Sequence, residues 1–148
     1  MNLSSEASHE RLAAHEHGVL ATLHAIRGAD LVPVVYTVAD LHVGIPVDVV
    51  KPKASTRLRR ERNLEADPRA TLLVEHWDRD DWSALWWVRA NLRRLPDDVA
   101  TMPSGLGARM ADQLAERHVQ YRDHPFARLL VFRIEAVTGW AASPVTPR

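Results

Sequence analysis

Twelve consecutive residues, KPKASTRLRRER at positions 51–62, hold six basic side chains and a single acid, Glu61. The whole chain carries 19 Lys and Arg against 19 Asp and Glu, so the remainder has thirteen basic and eighteen acidic residues and the positive charge is local. Placed at the start of a helix, such a run does anion chemistry. Pro52 ends an extended stretch, residues 54–63 have helical composition, and Ser55 or Thr56 stands where an N-cap belongs. The first turn of a helix offers unpaired N–H groups and the positive end of the dipole, so hydroxyls and lysines there form a cradle for phosphate. The same residues also fit a solvated basic helix face, so a second signal is needed.

The tryptophans supply one. Of five, Trp77, Trp82, Trp86 and Trp87 fall within eleven positions. Trp86 reads as core. Trp77 and Trp82 flank the acidic stretch 78–81, which points them to a cleft or a subunit contact, where indoles wall in a planar ring and exclude water. Eight histidines raise the question of a metal, but His15 and His17, the closest pair, lie two apart on a helical segment and point in different directions. No metal site is expected. His24, His42 and His76 lie in strand-like runs, and His76 is the best placed for chemistry. The motifs of serine hydrolases, zinc peptidases, P-loop NTPases and dinucleotide-binding folds are missing. A phosphate cradle and aromatic walls without an evident acid, base or nucleophile suit a ligand that brings its own reactivity, as redox cofactors do.

The elements that must hold these residues read as follows. A helix spans 5–17 and stops at Gly18. Runs rich in β-branched residues at 19–25, 31–38 and 41–45 are separated by short turns, which is a meander pattern rather than a series of βαβ crossovers. Pro33 marks an edge or a bulge, because proline cannot donate to a ladder. After the basic helix, Asp67-Pro68 breaks the chain. The strand at 70–77 lacks clean alternation and is expected to be buried on both faces. In the strand at 84–94, Leu85, Trp87 and Arg89 share one face while Trp86, Val88 and Ala90 share the other. A helix at 107–119 carries Met110 and Leu114 on one side, a last strand covers 127–137, and Thr138-Gly139-Trp140 closes the fold. About six strands with inserted helices give a mainly β, antiparallel barrel rather than a doubly wound sheet.

With 148 residues the chain suits one domain, 1–148, with 1–4 and 144–148 loose. Zero cysteines exclude disulfides and thiolate chemistry and agree with a cytoplasmic home. The first eighteen residues carry charges throughout, which argues against a signal peptide or membrane span. A pI near 7.1 argues against nucleic acid as the main partner.

The segments GVLATL, LVPVVY, KPKASTRLRRERNLEADPRATLLVEHW, DDWSALWWVRA, QYRDH and VTGW resemble the split β-barrel flavin and deazaflavin oxidoreductases related to pyridoxamine phosphate oxidase, most of all the small actinobacterial-type proteins described as F420-dependent. The similarity spans about residues 10–140. It implies a Greek-key split barrel that forms a homodimer with the cofactor in a groove at the interface. Carried over residue by residue, it implies that Lys53, Ser55 and Thr56 grip the cofactor phosphate, with Lys51 and Arg57 as further members. Pro33 and Val34 would run beside the ring, and Trp87 and Arg89 would face the cofactor or the partner subunit. Three departures stand out: Gly28-Ala29 and Asn91-Leu92 where relatives often have Asp-Gly, and Ser55 where some have a basic residue.

The expected activity is hydride transfer between coenzyme F420 and an unsaturated small molecule, with Tyr36, His76 or water as proton donor. The alternatives are an FMN-dependent enzyme of the same fold and a non-catalytic protein holding flavin, deazaflavin or haem.

Overall fold

The computed structural model describes residues 1–48, 58–97, 102–123 and 126–143. In chain order these form α1 (Ser5–Ala14), β1 (His17–His24), β2 (Gly28–Val35), β3 (Thr37–Ala39), β4 (His42–Val47), α2 (Arg59–Ala66), β5 (Arg69–His76), a 3-10 turn (Trp82–Ala84), β6 (Trp86–Arg94), α3 (Leu106–Arg117), α4 (Gln120–Asp123) and β7 (Arg128–Ala141). The seven strands make one antiparallel sheet in the order β2-β1-β5-β6-β7-β4-β3.

The two ends of this sheet, β2 and β3, are consecutive in the chain with only Tyr36 between them. The sheet must therefore curl until its edges meet. Tyr36 pins the meeting point: it is fully buried, its N–H donates to the Glu16 carbonyl (2.9 Å) and its hydroxyl to the Leu12 carbonyl (2.6 Å). Away from this pin β2 follows β1 and β4 follows β7, so the edges part and a half-barrel results, open along one seam. The run read from sequence as one strand at 31–38 is thereby two, which raises the count from about six to seven.

Inward-facing residues follow the alternation of each strand: Leu20 on β1, Leu72 and Val74 on β5, Val88 and Ala90 on β6, Ile45 and Val47 on β4. On β7 the inward phase changes from Leu130 and Phe132 to Val137. The cause is a register shift, in which Asn91 pairs with Ala136 but Leu92 with Ile134, leaving Glu135 as an extra residue. A second small core lies outside the barrel, where Leu106 and Met110 of α3 cover Val131. Gly44 permits this approach, since a Cβ there would stand 2.6 Å from Met110 Sδ.

Several boundaries differ from the sequence reading. Strand β7 continues to Ala141, so Gly139 and Trp140 belong to the sheet. Strand β5 alternates after all: Ala70, Leu72 and Val74 are buried while Leu73 on the other face is 39% exposed. Helix α2 begins at Arg59 with Leu58 in the N-cap position, while residues 54–57, Ser55 and Thr56 among them, lie outside the described residues. Pro33 does lie on an edge strand. No helix among the described residues is long and apolar enough to cross a membrane.

The β3–β4 hairpin turns through Asp40 and Leu41, both with positive φ (48° and 58°), flanked by the pair Ala39 and His42. A two-residue turn of this hand favours Asp-Gly, and a leucine in the left-handed region is strained. Leu41 is 63% exposed and its side chain adds little burial. Leu41→Gly is therefore expected to raise stability by about 1 kcal/mol, read as a higher denaturant midpoint at unchanged m-value.

Candidate functional site

The open seam is the place where backbone edges and charged side chains converge. On one side runs β2, an edge strand; on the other the end of β4 is prolonged by Asp48; α2 and α4 stand over the gap. A cleft of about 230 Å³ results, lined among others by His17, Pro33, Val34, Asp48, Arg60 and Tyr121. A second cleft of about 340 Å³ continues along β2 past Leu31 and Val32 and is bounded by Leu58, Arg59 and, again, Arg60.

Arg11, Arg60 and His118 each bury a side-chain nitrogen without a hydrogen-bond partner among the described residues, and Arg60 is the one of the three that lines the cleft. Its Nε is buried without a hydrogen-bond partner, and its guanidinium makes no salt bridge among the described residues. Burial pulls its pKa down, opposed by the nearby charges of Glu61 and Asp48. A half-buried cation without a bonded counter-ion is costly, and an anion arriving in the cleft would relieve that cost with charge-assisted hydrogen bonds.

Helix α2 is fixed so that Arg60 points there. Glu61, the single acid of the basic run, is 9% exposed and accepts from the Leu58 N–H (2.9 Å) and from Arg128 Nε and Nη2 (both 2.9 Å). One carboxylate thus caps the helix and ties it to β7. Two residues on, buried Asn63 donates through Nδ2 to Thr22 Oγ1 (3.0 Å) and to Asp30 Oδ2 (2.8 Å), fastening the other side to β1 and β2. Asp30 is also paired with Arg27 (2.7 Å), and these donors hold its carboxyl well below the usual carboxylate range. The far wall of the first cleft is Tyr121, whose hydroxyl donates to Asp48 Oδ1 (2.7 Å).

Of the residues named from sequence, the structure brings Pro33 and Val34 into the cleft. Pro33 is exposed there, whereas the Val34 side chain turns into the core, leaving its backbone at the groove. Trp87 and Arg89 sit together on the outer face of β6, with the guanidinium 5.3 Å from the ring centre. Strands β1 and β5 separate them from β2, roughly 14 Å at ordinary strand spacing, so within one chain they are not part of the cleft. Lys51, Lys53, Ser55, Thr56 and Arg57 lie outside the described residues. Trp86 packs against the core, between Arg11 (5.0 Å) and His15 (4.6 Å). Trp77 and Trp82 are exposed and line neither cleft.

Neither protein candidate for proton donor lines either cleft within one chain. Tyr36 is sealed in the core, and burial pushes its phenol far up. His76 lies beside Trp86 (6.3 Å) at the end of β5, away from the groove. Sequence reasoning missed Arg60, Glu61, Asp48 and Tyr121 as site residues. The acid interrupting a basic run was the available signal, since a lone Glu three residues after a helix start is a capping residue. Nothing in the sequence pairs Asp48 with Tyr121. A further cleft, of about 320 Å³ between α2 and the end of β6, offers no comparable cation, because Arg94 there already serves the Leu95 carbonyl and Asp97 (2.7 Å). No group of three or more metal-ligating side chains occurs among the described residues.

No protein-family model matches the sequence, and no curated protein matches it significantly. Solved structures do match. An FAD-binding protein from Mesorhizobium loti superimposes with a TM-score of 0.62 at 19% identity, over 94% of this chain and 93% of that one. An FMN-binding protein from Syntrophomonas wolfei gives 0.64 at 15% identity, over 97% and 88%. The haem storage protein HutZ from Vibrio cholerae gives 0.59 at 15% identity, over 90% and 91%. The fold is a split β-barrel. At such identities the similarity concerns the architecture, and the half-barrel of this chain shares it over nearly its whole length.

Burial pushes the Tyr121 phenol up to about 12, with the bond to Asp48 adding to the effect. A raised phenol pKa stabilises the fold fully below the free value of 10.0, and the contribution is lost as pH rises through 12. With Tyr36 shifted in the same direction, both tyrosines should remain un-ionised at pH 10 in an ultraviolet titration of the folded protein. Ionisation of either at its free value would show that its burial is absent in solution.

Proposed function

We propose that this split barrel is an oxidoreductase that holds a phosphorylated flavin-type cofactor in the groove along β2. Coenzyme F420 is the first candidate and FMN the alternative. The observation that carries the reading is Arg60, an unpaired and half-buried guanidinium anchored over the seam of a barrel whose architecture flavin-binding proteins share. When bound, such a cofactor accepts or gives a hydride.

The protein's part is to grip, orient and keep out water. Arg60, aided by Arg59 and by the basic segment before it, holds the phosphate. Pro33 and the Val34 backbone give the ring a flat border, since an edge strand has backbone groups free of a ladder partner and proline presents a surface without N–H. With Tyr36 sealed and His76 remote, any proton comes from water or from the cleft groups themselves. His17, the histidine lining the cleft, keeps the haem-holding alternative open, and a Soret band on adding haem would favour that reading.

Arg60→Ala should weaken F420 or FMN binding by about 1–3 kcal/mol, measured by calorimetric or fluorescence titration with the two cofactors side by side. Affinity equal to that of the unmodified protein would remove Arg60 from the site. Turnover of a panel of enones and quinones then separates an enzyme from a carrier.

The reading includes a homodimer. Leu31 (68% exposed), Leu23 (38%) and Leu73 (39%) lie with Val19 and Ala21 on the outer face of β2, β1 and β5, uncovered among the described residues. An apolar sheet face of this kind is an association surface. Leu73→Glu is expected to shift the protein to monomer in size-exclusion chromatography while leaving its circular dichroism unchanged. A monomeric unmodified protein at micromolar concentration would rule out the dimer.

A further inference from the structure

Three histidines among the described residues hold a ring nitrogen in a local hydrogen bond, and the partners fix which way each bond runs. At His15 and His42 the partner of Nδ1 is a carbonyl oxygen, that of Arg11 (2.8 Å) and that of Asp40, so Nδ1 carries the hydrogen and donates. At His24 the partners are the N–H groups of Ile26 and Arg27 (both 3.1 Å), so Nδ1 presents its lone pair and accepts. A protonated imidazole donates from both nitrogens and accepts at neither. Acid therefore preserves the bonds of His15 and His42 and abolishes both bonds of His24.

The place of His24 gives that loss a consequence. It is the last residue of β1, pairs with Gly28 at the start of β2, and closes the turn through residues 25–27. Ile26 at the tip is 90% exposed, so its burial does not hold the turn shut. The His24 bonds and the Arg27–Asp30 pair (2.7 Å) do. The turn also starts an edge strand, whose one ladder partner is β1 and whose Asp30 fastens α2 through Asn63 (2.8 Å).

We propose that His24 is an acid-sensitive latch on the β1–β2 turn, closed while its imidazole is neutral and released when the ring takes up a proton. A histidine ordinarily does so near pH 6.5 (about), so the two bonds add stability above that range and lose it as pH falls through it. The charged groups around the turn do not share this behaviour. Within the hairpin, bonds from Arg27 and Asn63 hold the Asp30 carboxyl well below the usual carboxylate range. Beside it, just before β5, Arg69 lowers Asp67 to about 2. Helix α2, packed on β1, brings Arg59, Arg60 and Arg62 with the carboxylates Glu61 and Glu65. Guanidinium and carboxylate groups in their ordinary ranges keep their charges between about pH 7.5 and about pH 5.5. No histidine lies in β2 or α2, and His76 stands at the far end of β5.

The test is amide hydrogen exchange of the full chain at about pH 7.5 and about pH 5.5, each rate divided by that of an unstructured peptide at the same pH. Protection of the Ile26 and Arg27 amides is expected to fall about tenfold in acid, the size of one net hydrogen bond, while that of Leu72 in the middle of the sheet stays unchanged. His24→Asn places a side-chain carbonyl that accepts at either pH in the same turn, and should keep the protection while removing its pH dependence. His24→Leu should leave both amides unprotected at both pH values. Equal protection of the unmodified protein at the two pH values, a fall that persists in His24→Asn, or protection that survives in His24→Leu would each overturn the latch.

Discussion

The buried Tyr36 sets the shape on which everything else depends. Because β2 and β3 are joined through this one residue yet lie at opposite ends of the sheet order, the sheet has to close around it. Its two hydrogen bonds, to Glu16 and Leu12, fasten the closure to the end of α1 and the approach to β1. Closure is complete at Tyr36 and nowhere beyond it, since β2 and β4 are committed to β1 and β7 on their other sides. The seam is thus a consequence of strand pairing, and the groove is the seam seen from outside. An edge strand left open in this way is a liability in most proteins, and here α2, α4 and Asp48 stand over it and turn it into a lined groove.

The second constraint is the double fastening of α2. A short helix of eight residues has little stability of its own, so its orientation must come from tertiary contacts. Glu61 and Asn63 supply them in opposite directions, the first to Arg128 on β7 and the second to Thr22 and Asp30. Both are polar side chains buried with their hydrogen bonds made, which fixes a position more sharply than apolar packing does. This arrangement lies next to Arg60, whose guanidinium makes no salt bridge among the described residues. A well-satisfied support thus stands beside an unsatisfied charge, and it is this contrast on which the proposed phosphate contact rests.

Much of the architecture was legible in the sequence. Alternation in residues 86–90 placed Trp87 with Arg89 and Trp86 with the core, and Pro33 marked an edge strand. Short turns between the first three strand-like runs indicated an antiparallel barrel. Errors fell where one rule overrode another. A continuous apolar run became two strands because closure needs a kink at Tyr36, and the mixed pattern of residues 70–76 concealed an ordinary alternation with Leu73 left on the outer face. The reading of the last strand stops at 137 because Thr138-Gly139 has the composition of a turn, whereas the ladder to β6 carries β7 on to Ala141.

For the site, the sequence by itself determined that positive charge is concentrated within twelve residues, that a helix carries part of it, and that no standard nucleophile, thiolate or evident metal set accompanies it. Only the tertiary structure decided which cation faces the groove. Successive residues of a helix point about 100° apart, so Arg59, Arg60 and Arg62 cannot share a direction, and composition is blind to that phase. The phase follows from where Glu61 and Asn63 are held, by strands that lie far away in the chain. In the same way, Asp48 and Tyr121 become a single wall only after folding has brought residues 73 positions apart within 2.7 Å.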